Sequence, residues 1–211
     1  MTTATAVWFV AAAACAVANW WSRWSHHRPT EVWSKPLTLV ALIGAAIALD
    51  PIDSQVRAWF VIALVLCLAG DVFLLGDDNW FVPGLAAFLA AHLAYVIGFV
   101  VADEWNWWYF TRAWIALIPF GVTLGHRILA AAIAGRPALR IPVTSYLGAI
   151  SLMVTAAAAA GNTWAVAGAA LFLTSDTILG WRQFVAQRPW MPLTIMVTYH
   201  LAQAALVISL I

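Results

Sequence analysis

Charge is scarce in this chain. Only 9% of its 211 residues are Asp, Glu, Lys or Arg, and they nearly cancel to a net +1. That balance lacks the electrostatic footprint of a nucleic-acid binder, so no nucleic-acid partner is expected. Cysteine is nearly absent: Cys15 and Cys67 both lie in apolar segments, which excludes a disulfide framework and reads as two buried, unpaired thiols. There is no glycine-rich phosphate loop and no Cys/His cluster, so neither a nucleotide, a redox cofactor nor a metal is expected. No basic segment precedes the first apolar run, which argues against a cleaved signal peptide.

What is abundant is apolar surface. At 64% hydrophobic, the chain has more than a soluble domain of this size can hide. Long apolar stretches recur throughout, and they predict an all-α, polytopic membrane bundle forming a single transmembrane domain over residues 1–211. Eight spans are legible: Thr5–Trp21, Pro36–Leu49, Val56–Leu75, Trp80–Val101, Ala113–Ile128, Ile141–Ala160, Thr163–Trp181 and Met191–Ile211. The second is short of the ~20 residues a crossing takes, so it reads as tilted or partly re-entrant. The fifth is also short, unless its tail through Ile133 extends it. Fourteen tryptophans cluster near span ends, among them Trp20, Trp21, Trp24, Trp105, Trp107, Trp108, Trp181 and Trp190. Their rings suit the headgroup zone.

Loop charges predict the orientation. Arg23, Arg28, Lys35, Arg127, Arg136, Arg140, Arg182 and Arg188 fall on one side, and only Arg57 and Arg112 on the other. The positive-inside rule then places the basic loops in the cytoplasm and both termini outside, in a cell (inner) membrane.

Against this background two acids stand out: Asp71, within Leu68-Ala69-Gly70-Asp71-Val72-Phe73, and Asp176, within Leu173-Thr174-Ser175-Asp176-Thr177-Ile178. An ionisable residue inside a span marks a functional site by default. The predicted orientation sets other polar residues at a similar depth: His92 and Tyr95 on span four, Tyr146 on span six, and Tyr199, His200 and Gln203 on span eight. A shared depth implies one cavity opening toward the cytoplasmic side. Asp78, in the Asp77-Asp78-Asn79 turn after span three, is placed at its mouth. Arg182, following the Asp176 helix, is the candidate for a headgroup phosphate. The acids lie 105 residues apart, and His92-Leu93-Ala94-Tyr95 and His200-Leu201-Ala202-Gln203 lie 108 apart. Those separations suggest a parallel repeat of four helices each.

Gly70-Asp71 with Leu74, then Gly84, Phe88, His92, Tyr95 and Phe99, then Ala169 through Asp176, then Thr198-Tyr199 and Ala202-Gln203, resemble the YhhN family of integral membrane proteins. The likeness runs from about Pro36 to the C-terminus. It departs at Ala69, where the family often has a small polar residue, and at His200, where another aromatic is common. The resemblance implies a lysoplasmalogenase: hydrolysis of the sn-1 vinyl ether of a lysophospholipid to a fatty aldehyde and glycerophosphoethanolamine or glycerophosphocholine.

The residues suit that chemistry independently. Cleaving a vinyl ether takes protonation of its β-carbon, stabilisation of the resulting oxocarbenium ion, and addition of water. Two carboxyls in unlike environments can divide those roles, as they do in glycoside hydrolysis. Asp176 reads as the deeper and is assigned as proton donor, with Asp71 stabilising the cation or activating water; the sequence leaves the exchange of roles open. His92, Tyr95, Tyr146, Tyr199, His200 and Gln203 are expected to position substrate or water. The same acids also fit a proton-coupled transporter of lipids or small molecules, or a lipid-binding membrane protein. An intramembrane aspartyl protease fits less well, because its glycine-rich pattern is missing. A zinc hydrolase fits less well because no His-x-x-x-His pair exists.

Overall fold

A computed structural model describes residues 2–102 and 105–211, with the side chain of Asp78 outside the described set. Among these residues there are helices and no strands. They comprise α1 (Thr3–Ser25), α2 (Arg28–Ala48), α3 (Ser54–Phe73), α4 (Phe81–Val101), α5 (Trp107–Phe120), α6 (His126–Gly135), α7 (Arg140–Ala159), α8 (Thr163–Phe184) and α9 (Met191–Ile208). A π-helical turn, Gly121–Gly125, welds α5 to α6 into one span, Trp107–Gly135. Among the described residues, eight spans are therefore long and apolar enough to cross a membrane. Helices suit that medium because they satisfy their own backbone groups where water is absent.

Several spans are longer than the sequence pattern suggested, the second and the fifth most of all. α2 begins at Arg28 and carries Pro36 in its interior. Its polar first half is usable because it faces protein: Ser34, Lys35 and Thr38 are buried, and Asn19 Nδ2 of α1 donates to Ser34 Oγ at 3.1 Å. The fifth span gains length at both ends, through Trp107 and through Gly135.

The two ends of the bundle start their helices differently. α1, α3, α5 and α8 begin on one face, and each is capped by a side chain: Thr2, Asp53, Asn106 and Asn162 accept from backbone N–H groups of their first turns. Such caps satisfy donors that the helix itself leaves open. α2, α4, α7 and α9 begin on the other face without a side-chain cap. Each instead has a proline among its first three residues: Pro29, Pro83, Pro142 and Pro192. Proline removes one of the unpaired donors.

α1 with α2, α3 with α4, and α8 with α9 pack most extensively, and α4 against α7 joins the two halves of the chain. A continuous core of Leu39, Leu42, Phe60, Leu64, Phe88, Ile150, Met153, Phe172 and Leu206 fills the centre. Small residues allow the close approaches. A Cβ on Gly168 would stand 3.0 Å from the Ala202 carbonyl oxygen of α9, so glycine lets α8 and α9 meet backbone to backbone.

Candidate active site

The last turn of α3 brings Asp71 to the bundle centre, where it is 1% exposed. Gly70 before it leaves room for the Phe88 ring of α4, which a Cβ would meet at 2.6 Å. Asp71 Oδ1 lies 3.1 Å from Lys35 Nζ of α2, and Oδ2 accepts from the Tyr199 hydroxyl of α9 at 3.0 Å.

Asp176 sits in the middle of α8. Ser175 beside it donates to the Ile195 carbonyl of α9 at 3.0 Å, which fixes the rotation of α8 against its neighbour. Asp176 Oδ2 accepts from the Tyr146 hydroxyl of α7 at 2.5 Å, and His92 Nε2 of α4 stands 3.6 Å from the same oxygen. The Phe172 ring, one turn earlier on α8, makes edge contacts with His92, Phe88 and Tyr199. This aromatic group forms an apolar floor behind the two acids.

Both carboxylates line a single cavity of about 110 Å³, together with Lys35, Tyr199, Ser175 and, at its entrance, Arg23, Glu31 and Arg182. Arg23 and Glu31 form an ion pair at 2.5 Å. A second cavity, about 50 Å³, lies between α4, α6, α7 and α8 and is walled by Phe81, Leu85, Phe120, Ile128, Leu147 and Phe184. Leu74, Phe88, Asp176 and Leu179 border both. Asp176 therefore stands where a charged chamber meets an apolar one.

Of the residues singled out from sequence, Asp71, Asp176, Tyr146, Tyr199 and His92 are brought together, and Arg182 lies at the chamber entrance. Tyr95 and Gln203 instead bond each other at 2.6 Å, both fully buried. His200 is turned toward α1, where its Nδ1 accepts from Trp20 Nε1 at 3.0 Å. Asp78 opens a short 3-10 turn, Asp78–Trp80, and its side chain lies outside the described residues. Sequence reading missed Lys35 as a site residue by counting it among loop charges. Its spacing from Glu31, one helical turn earlier, was the available signal: both line the chamber.

With eight helical spans long and apolar enough to cross a membrane among the described residues, and two carboxyls lining one cavity between them, this is a polytopic membrane protein. The YhhN family profile matches residues 30–210, and the chain belongs to the YhhN family. It is similar to the lysoplasmalogenase TMEM86B of Sus scrofa, at 32% identity over 70% of this chain and 61% of that protein. The TMEM86B of Homo sapiens is 33% identical over 70% of the chain and 61% of its own length. A lysoplasmalogenase of Mycobacterium bovis is 32% identical over 70% of the chain and 58% of its own length. The chain thus matches about three fifths of these relatives. No solved structure matches it.

Proposed function

We propose that this protein hydrolyses the sn-1 vinyl ether of lysoplasmalogens, releasing a fatty aldehyde and a glycerophospho-ethanolamine or -choline. The family membership and the curated relatives named lysoplasmalogenase support the reading. The observation that carries it is the position of Asp176 at the junction of a charged chamber and an apolar one. A lysolipid has that shape: one hydrocarbon chain, one ionic headgroup, and the scissile bond between them.

In this reading the alkenyl chain lies along Phe81, Leu85, Phe120 and Leu147, and the phosphate faces Arg182 and Arg23. Asp71 is ion-paired with Lys35, whereas the nearest partners of Asp176 are a tyrosine hydroxyl and an imidazole. Unlike environments divide the labour of paired carboxyls. Asp176 arrives protonated and delivers its proton to the β-carbon of the vinyl ether, and the alkene electrons form the new C–H bond. The positive charge on the α-carbon and ether oxygen is stabilised by the carboxylate of Asp71 and by the newly ionised Asp176. Water adds to the α-carbon and returns a proton to Asp176. The hemiacetal then collapses: its hydroxyl gives up its proton as the C=O bond forms, its C–O bond to glycerol breaks, the glycerol oxygen takes the proton held by Asp176, and the aldehyde departs. Tyr146 orients Asp176 throughout. The positive-inside rule turns the charged chamber toward the cytoplasm.

The test is incubation of the purified, detergent-solubilised protein with a 1-alkenyl lysophospholipid and its 1-acyl counterpart, followed by mass spectrometry. Aldehyde from the alkenyl lipid alone is expected. Intact lipid in both, with uptake into proteoliposomes, would favour a transporter instead.

A further inference from the structure

Which way a lipid chain reaches Asp176 is answered by the fifth span. α5 buries none of its residues, whereas α6 is anchored: Ile128 and Ala132 are buried, and Ile128 packs close to Gly180 of α8. The outer end of α5 is tied to α7 by the Asn106 N–H donating to the Ala159 carbonyl at 2.9 Å. Between these two fixed ends lies the π-helical turn Gly121–Gly125, preceded by Pro119. Thr123 Oγ1 donates to the Pro119 carbonyl at 2.5 Å. Proline and π-helical turns are the usual places where a helix bends, and such turns gather at functional sites.

At this turn a third cavity, about 490 Å³, opens between the fifth span and α7, lined by Trp114, Ile118, Val122, Leu129 and Gly148. Several of these residues are exposed on the flank of the bundle, which in a bilayer means lipid. Phe120 and Leu147 line this outer cavity and also the inner apolar one that ends at Asp176. Two side chains are thus the shared wall between membrane and acid. Two other cavities border the same region: one passes Arg23, Glu31, Lys35 and Arg182, and the other, which shares Phe81, Gln183 and Phe184 with the inner apolar cavity, passes Arg136. A hydrocarbon chain taking either charged route leaves the bilayer at about 0.8 kcal/mol per methylene exposed to water.

We propose that the cleft between α5 and α7 is a lateral portal for a single hydrocarbon chain, which passes from the bilayer between Phe120 and Leu147 to Asp176. That the chain belongs to a lysophospholipid rests on the function proposed above.

Gly148 and Gly121 line the outer cavity, and a Cβ on either meets no atom within 4 Å. Gly148→Trp and Gly121→Trp therefore fill the cleft from open space. Ile47→Trp is the control, on the exposed face of α2 and outside the cleft. Each protein, in lipid nanodiscs, is photolabelled with a lysophosphatidylcholine bearing a diazirine at the chain terminus, and the peptides are mapped. Label is expected in residues 114–129 and 144–151, falling about tenfold in either cleft variant and unchanged in Ile47→Trp. Labelling of those segments no stronger than that of the exposed face of α1, or labelling that survives both cleft variants, overturns the portal. Labelling needs no turnover, so it judges the portal separately from the aldehyde assay.

Discussion

Lys35 of α2 meets Asp71 of the adjacent α3 at 3.1 Å, and in the other half of the chain Tyr146 of α7 meets Asp176 of the adjacent α8 at 2.5 Å. Each acid also faces a residue from the opposite half: Asp71 accepts from Tyr199 of α9, and Asp176 faces His92 of α4. The two sites have the same plan, with one partner from within the half and one from across. Their chemistry differs only in the partners: a cation and a phenol for Asp71, a phenol and an imidazole for Asp176.

Removing Lys35 isolates a buried charge. Lys35→Met is expected to cost about 3–5 kcal/mol of stability, the usual penalty for breaking a buried pair by one member. Lys35→Met/Asp71→Asn is expected to regain most of it while remaining inactive. Unfolding of the purified proteins in mixed micelles checks both, and additive losses in the double variant would mean that the pair is not coupled.

Tyr146→Phe keeps the ring and deletes one hydroxyl bonded to Asp176. The expected result is a kcat lowered about tenfold or more with KM little changed, because in the proposed mechanism the bond orients the proton donor and not the lipid. Steady-state kinetics on an alkenyl lysolipid measures it. A change confined to KM would contradict the assignment.

Arg182→Gln addresses the headgroup. At the chamber entrance this side chain is expected to act on binding alone, raising KM about tenfold with kcat retained. A neutral alkenyl glycerol lacking the phosphate should show no such difference between wild type and variant.

Gly168→Ala tests the close contact of α8 with α9. Its methyl group meets Leu206 Cγ at 2.8 Å and the Ala202 carbonyl oxygen at 3.0 Å, and backbone cannot move aside as a flexible side chain can. A loss of about 1–3 kcal/mol is expected, against no loss for Gly121→Ala, whose surroundings are open. Equal stability of the two variants would contradict the packing described.

The architecture was largely readable because a bilayer imposes a strong pattern: apolar runs of fixed length separated by charged loops. Asp71 and Asp176 stood out for the same reason, being costly in that medium. What escaped was set by contacts between helices. Pro36 reads locally as a helix start, yet α2 runs through it because Asn19 and Asp71 provide polar partners for Ser34 and Lys35. Tyr95, Gln203 and His200 share the depth of the acids but point elsewhere, into a Tyr95–Gln203 bond and a Trp20–His200 bond. Depth along a helix is written in sequence spacing, whereas rotation toward a particular neighbour is decided by how the bundle packs.

The proposed hydrolysis by Asp176 and Asp71 runs through protonation of the β-carbon of a vinyl ether. Turnover of an alkenyl lysolipid in D₂O, with the aldehyde trapped at once and weighed by mass spectrometry, tests it most directly. Wild-type protein is expected to yield aldehyde with a single deuterium on the carbon next to the carbonyl, and Asp176→Asn and Asp71→Asn to yield it about 10²–10⁴ times more slowly. Aldehyde free of deuterium, or wild-type rates from either variant, would contradict the account.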